Sequence, residues 1–302
     1  MNLEKVKKEL TGIFPPMMTP FKDDQTVDLD AVKFNVELYN KTDIGGLMPL
    51  GSNGEFASLS DDESCAIVKA VADTFDKNKT IMVGVGRESA YHTVEFSKKV
   101  ADLGAQYVSI LTPHYFKGKM TQDALYGYYS YIADHSPVPT LVYNAPKFAA
   151  DIATSAELIA KLADHPNIVG MKDTSSEDIT IFCDAAKGKD FFVMAGSINK
   201  YLRGLEHGAV GGVLSVANYL PQACCEILPL FEAGKVQEAS ELSDSLKVLT
   251  NACSGKTGIA GSKACMTLLG FVGGIPRLPL LPVGDAEIAD AKKVLVDAGY
   301  LK

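Results

Sequence analysis

The feature of this sequence that most narrows its fold is a rhythm. Short apolar runs alternate with amphipathic stretches at a spacing of roughly 30 residues, from near the start to about residue 235. The runs are Gly12 to Phe21, Gly45 to Leu50, Thr80 to Val85, Tyr107 to Leu111, Thr140 to Tyr143, one beginning at Ile168, Phe191 to Met194, and Gly212 to Val216. Helix-period stretches fill the gaps: Leu29 to Lys41, Asp61 to Asp76 behind a Ser60 cap, Ser89 to Leu103, Thr121 to His135 and Ser155 to Ala163. Eight strand–helix repeats predict a closed parallel (β/α)8 TIM barrel. An open doubly wound sheet would usually need fewer strands, and its glycine fingerprint is missing. From Val236 the rhythm changes. Val236 to Ala252, Ser262 to Phe271 and Asp285 to Ala298 read as three helices without strands between them. The expectation is a catalytic barrel over residues 1–235, with a helical extension over residues 236–302 packed on it.

A chain of 302 residues, 47% hydrophobic, suits one large barrel with an ample core. The formal charge of −8 argues against nucleic acid or an anionic membrane as a partner, while leaving room for a local cationic site that binds a small acid. No apolar run reaches the length of a membrane span. The charged stretch from Met1 to Thr11 lacks the apolar core of a signal peptide. Cys65, Cys183, Cys224, Cys225, Cys253 and Cys265 form no Cys-x-x-Cys pair. They read as thiols of a reducing compartment, hence a cytoplasmic protein. No phosphate-binding loop or His-Glu-x-x-His helix is present, so no metal or nucleotide cofactor is expected.

In a barrel of this kind the active site lies at the C-terminal ends of the strands. After the second run comes Gly51-Ser52-Asn53-Gly54-Glu55, a turn whose successive N–H groups can hold a carboxylate. After the fourth come His114 and Tyr115; the fifth ends in Tyr143; the eighth run contains Leu214 and Ser215. The sixth passes from Ile168-Val169-Gly170-Met171 to Lys172, where apolar becomes polar. A lysine in a partly apolar pocket has a lowered pKa, and its free amine can attack a carbonyl. A solvated strand-end lysine is the competing reading, and the residue alone does not choose. Tyr143, on the neighbouring strand, can donate a proton beside that amine.

In this order the segments Gly51-Ser52-Asn53-Gly54-Glu55, Thr112-Pro113-His114-Tyr115, Tyr143-Asn144-Ala145-Pro146, Gly170-Met171-Lys172-Asp173 and Gly211-Gly212-Val213-Leu214-Ser215 resemble the dihydrodipicolinate synthase/N-acetylneuraminate lyase superfamily of class I aldolases. The resemblance runs over essentially the whole chain. It implies that Lys172 forms an imine with a 2-oxo acid such as pyruvate, that Tyr143 is the acid/base, and that Ser52 relays protons to it. It also implies that Tyr115 completes the relay from a neighbouring subunit. The Ser52 and Asn53 N–H groups would hold the keto-acid carboxylate, and Leu214 would contact the bound pyruvate. No metal or organic cofactor is implied, and the assembly would be a homotetramer built as a dimer of dimers. A keto-acid-binding regulator without activity would typically lack the nucleophile or the acid/base, and both are present.

Gly-Ser-Asn-Gly-Glu-Phe, Tyr115 to Met120 and His165 to Asp173 are most similar to 4-hydroxy-2-oxoglutarate aldolases, which release pyruvate and glyoxylate. The alternatives are 4-hydroxy-tetrahydrodipicolinate synthase, acting on pyruvate and aspartate semialdehyde, and an aldolase of 2-keto-3-deoxy sugar acids. The synthases resembled here usually carry Thr-Thr at Ser52-Asn53, and an arginine where this chain has Phe148. Ala149-Ala150 stands where the family has Thr-Gly. The Lys147 to Ala150 loop is therefore expected to make the aldehyde pocket more apolar.

Overall fold

Eight short parallel strands run in sequence order around the structure: β1 (Gly12–Ile13), β2 (Gly46–Leu47), β3 (Thr80–Gly84), β4 (Tyr107–Leu111), β5 (Thr140–Asn144), β6 (Ile168–Asp173), β7 (Phe192–Ala195) and β8 (Gly211–Gly212). β8 pairs with both β7 and β1. The remaining gap, between β1 and β2, is closed by the Gly45 N–H donating to Ile13 O, the Met48 N–H to Pro15 O and the Met17 N–H to Met48 O, each at 3.0 Å. The computed structural model describes residues 2–302. It is a TIM barrel, as the rhythm predicts.

Some strands are shorter than expected. The run from Gly12 to Phe21 narrows to two residues because Pro15, Pro16 and Pro20 have no N–H for a ladder. Gly212 to Val216 also shortens. Leu214 and Ser215 lie beyond β8, where the chain turns into a 3-10 helix over Ser215–Asn218.

The helices are α1 (Leu3–Leu10), α2 (Leu29–Asn40), α3 (Asp61–Thr74), α4 (Ala90–Asp102), α5 (Gln122–His135), α6 (Ala156–Leu162), α7 (Thr180–Ala185) and α8 (Ile198–Glu206). The side chains of Asn2, Asp28, Ser60, Ser89, Thr121 and Ser155 each accept a backbone N–H of the first turn that follows. Ser60 and Glu63 complete a reciprocal capping box. α1, which the rhythm does not foretell, buries Val6 and Leu10 with the side chains that fill the barrel, among them Met48, Met82, Leu141, Val169 and Met194. After β8 come α9 (Pro221–Cys225), α10 (Ile227–Glu232), α11 (Val236–Thr250), α12 (Gly258–Leu268) and α13 (Asp285–Asp297). α11 packs on α8, and α12 packs on α13. A π-helical turn over Asn251–Gly255 joins α11 to α12. α12 begins at Gly258, earlier than the expected Ser262; its first residues (Gly258-Ile259-Ala260-Gly261) carry too little apolar periodicity to be read as helix from the sequence.

Candidate active site

Tyr143 on β5 and Lys172 on β6 are register partners. Their side chains point into the barrel mouth, with Nζ 4.2 Å from the centre of the phenol ring. Lys172 is 3% exposed, and Nζ donates to Met48 Sδ at 3.9 Å. Burial holds this amine below its ordinary 10.5, opposed only in part by Tyr143. A neutral, nucleophilic amine is therefore easier to reach here than in water.

The Tyr143 hydroxyl lies 3.4 Å from Ser52 Oγ. Ser52 opens a 3-10 turn, Ser52–Gly54, at the end of the loop after β2. That loop runs tightly along β3: a Cβ on Gly84 would sit 2.1 Å from Leu50 O, so only glycine allows the approach. Within the turn the Gly54 and Glu55 N–H groups bond to Gly51 O and Ser52 O, and no protein acceptor among the described residues takes the Ser52 or Asn53 N–H. These two donors remain available to a carboxylate. Asn53 Nδ2 donates to Ser215 Oγ at 2.5 Å, tying the turn to the segment just past buried Leu214.

Around this centre stands bracing that the sequence alone did not reveal. Asp173, beside Lys172 and fully buried, accepts from Asn144 Nδ2 at 2.8 Å and pairs with Lys200 on α8. Glu55 adopts φ +55° and pairs with Lys263 of α12 at 2.6 Å, both side chains buried. The Arg277 N–H also donates to Glu55, at 2.9 Å, and its guanidinium grips Glu63 with two bonds of 2.7 and 3.0 Å. The C-terminal helices are thereby pinned to the Ser52–Asn53 turn. A lone lysine among the apolar residues of α12 was the one signal in the sequence; its partner could not be read from it.

Of the expected site residues, Ser52, Tyr143 and Lys172 converge, Asn53 follows Ser52 in the same turn, and Leu214 precedes Ser215, the hydrogen-bond partner of Asn53. Tyr115 does not join them within the chain: the residue is 78% exposed, and its ring meets Phe116 edge-on, with centres 5.1 Å apart. Its backbone N–H is held by Glu88 at 2.8 Å. His114 meets the same Glu88, 3.2 Å away, on the outer surface. Ala149 is buried with Tyr143, Leu111 and Ala145, while Ala150 takes φ +49°, a conformation that favours glycine.

Comparison with known proteins gives one consistent result. Residues 9–298 match the model of the Dihydrodipicolinate synthetase family. A 4-hydroxy-tetrahydrodipicolinate synthase of Methanothrix thermoacetophila is 32% identical, over 94% of this chain and 95% of that protein. A probable mitochondrial 4-hydroxy-2-oxoglutarate aldolase of Emericella nidulans is 29% identical, over 95% and 94%. The crystal structure of dihydrodipicolinate synthase from Thermotoga maritima superposes with a TM-score of 0.90 at 28% identity, covering 97% of this chain and all of that one.

Proposed function

The chain belongs to the dihydrodipicolinate synthetase family and is a class I aldolase of that family; on that premise we propose that Lys172 is its Schiff-base nucleophile and pyruvate its 2-oxo acid. The observation that carries this assignment is the buried amine of Lys172, set against Tyr143 and a thioether with its ammonium form disfavoured.

Nζ attacks the C2 carbonyl, Tyr143 delivers the proton with which the carbinolamine oxygen leaves as water, and an iminium remains. The Ser52 and Asn53 N–H groups hold the carboxylate, and Leu214 packs on the methyl side. The iminium draws in the electron pair left when a proton departs from C3, or when the C3–C4 bond of an aldol breaks. In the forward direction the enamine C3 bonds to an aldehyde carbon, the aldehyde oxygen takes a proton from Tyr143, and water releases the product from Lys172. Ser52, 3.4 Å from the phenol, relays the proton onward. No step calls for a metal.

Two aldehydes enter through the relatives. Ser52-Asn53 favours glyoxylate, as in the hydroxyoxoglutarate aldolases that segment resembles, whereas Phe148 fits neither branch. The synthase relative, at 32% against 29% identity, favours aspartate semialdehyde. The exposed Tyr115, beside exposed Phe116, supports its action in the site of a second copy, within a dimer or a tetramer of two dimers. The six thiols are free, five of them buried, which supports a reducing, cytoplasmic setting.

Borohydride added with pyruvate should leave a reduced adduct on Lys172, located by peptide mapping. An adduct on another lysine, or none in an active preparation, would remove the assignment. Mixing Tyr115→Phe with Lys172→Ala proteins, each nearly inactive alone, should restore part of the activity through hybrid dimers. Full activity from a protein that sediments as a monomer at assay concentration would overturn the role of Tyr115.

A further inference from the structure

Beyond the Asn53–Ser215 contact a cavity of about 390 Å³ opens between the barrel mouth and the C-terminal helices. Asn53 and Ser215, each next in sequence to a residue of the site (Ser52 and Leu214), form its inner wall. Its other walls bring together Phe148 from the loop after β5, Ile259 from α12, and Leu280 and Leu281 from the segment before α13. Phe148 is 46% exposed and Leu281 70%, so both present apolar surface with little cover from the rest of the chain. Lys256 is the one charged residue of the lining, at the exposed rim; Lys147 is not part of it. The volume falls in the range of small-molecule pockets.

We propose that this cavity receives the aldehyde, and that the preferred aldehyde class carries a ring-sized apolar substituent. The proposal rests on the Schiff-base reading of Lys172. An aldehyde seated against the enamine would project its substituent past Asn53 and Ser215 onto Phe148, Ile259, Leu280 and Leu281. Covering those side chains removes apolar area from water on both partners. Glyoxylate is too short to leave the inner chamber and would leave the cavity unfilled. Aspartate semialdehyde would set a carboxylate and an ammonium against an aromatic ring and two leucines, a desolvation that the hydroxyls of Ser254, Thr257 and Ser262 and the rim Lys256 offset only in part. The chemistry balances without a further reactant: C3 of the enamine bonds to the aldehyde carbon, the carbonyl pair becomes an alkoxide protonated by Tyr143, and water hydrolyses the imine.

The test uses the full chain with saturating pyruvate, and benzaldehyde, glyoxylate, succinic semialdehyde and aspartate semialdehyde as probes. For benzaldehyde kcat/KM should exceed that of each carboxylate-bearing aldehyde at least tenfold, and Phe148→Ala should lower it at least fivefold. Phe148→Arg should invert the order, raising succinic semialdehyde turnover more than tenfold while lowering that of benzaldehyde. A carboxylate-bearing aldehyde preferred by the unmodified protein, or indifference of benzaldehyde turnover to Phe148→Ala, overturns the proposal. Deuterium exchange at pyruvate C3 needs no aldehyde and separates the two readings. Exchange without the benzaldehyde preference removes only the proposal, whereas absence of exchange and of all turnover removes the Schiff-base reading beneath it.

Discussion

Lys172 and Lys263 are both withdrawn from water, at 3% and 1% exposure, but their surroundings differ in kind. Lys263 faces the Glu55 carboxylate at 2.6 Å and the Ile275 carbonyl at 2.7 Å, with the Phe21 ring 4.6 Å away. Lys172 faces a phenol ring and a sulfur. Burial lowers both amines, but at Lys263 a carboxylate opposes it, whereas at Lys172 the opposition comes only from Tyr143. The paired lysine serves as a tether between α12 and the Ser52–Asn53 turn. The other, the nucleophile under the proposed function, is held at a cost in stability, since a buried polar group without a full set of partners is unfavourable. Buried lysine by itself is therefore no sign of catalysis; the absence of a carboxylate partner is what sets Lys172 apart and supports its proposed role.

The sharpest way to break this comparison is Lys172→Met. Turnover should fall by at least about 10⁴-fold, on the order of 5 kcal/mol of barrier. Stability in urea should hold or rise, because a thioether chain suits that pocket better than an amine. A loss of stability comparable to that of a core truncation would mean Lys172 is structural.

Lys263→Met should behave in the opposite sense. It strands the Glu55 carboxylate in a buried site, an expected loss of about 3–5 kcal/mol in urea unfolding. Adding Glu55→Gln removes the stranded charge and should recover a large part of that loss. If the single variant is as stable as the parent, the ion pair does not hold α12 to the barrel mouth.

A smaller effect separates the two lysines by pH. Because the folded-state pKa of Lys172 lies below 10.5, the unfolded chain binds more protons between that pKa and 10.5. Unfolding free energy therefore gains a positive slope with pH in that window, up to about 1.4 kcal/mol per unit from this one group. Below the folded pKa the contribution is flat. Lys172→Met should remove that increment, while Lys263 and other buried amines supply the same slope to both proteins and cancel. Turnover of the parent should rise with pH through the same folded-state pKa, as the free amine accumulates. Identical pH slopes in the two proteins would show that Lys172 is not perturbed.

The barrel was legible because its signal is local and repeated: each apolar run and each capped helix can be read within one window of sequence, and α3 begins behind Ser60 as expected. Strand ends were read less well at β1, β2 and β8, whose apolar runs continue past the last ladder bond, at β1 through prolines that cannot donate one. Lys172, Tyr143 and Ser52 could be nominated because the fold places strand ends on one rim and because their segments resemble those of known aldolases.

Residue types, their spacing and the order of segments determined by themselves the barrel and the rim, since both follow from periodicity and chain connectivity; they nominated Lys172 only together with the resemblance to known aldolases. Only the tertiary structure decided that Lys172 lacks a carboxylate partner while Lys263 has one, that Tyr115 stands away from its own chain's site, and that Phe148 shares a cavity with Ile259, Leu280 and Leu281. Pairing, exposure and cavity shape depend on distances between residues far apart in the chain. Those distances are set when the helices after β8 fold back onto the barrel mouth, and no local pattern encodes them.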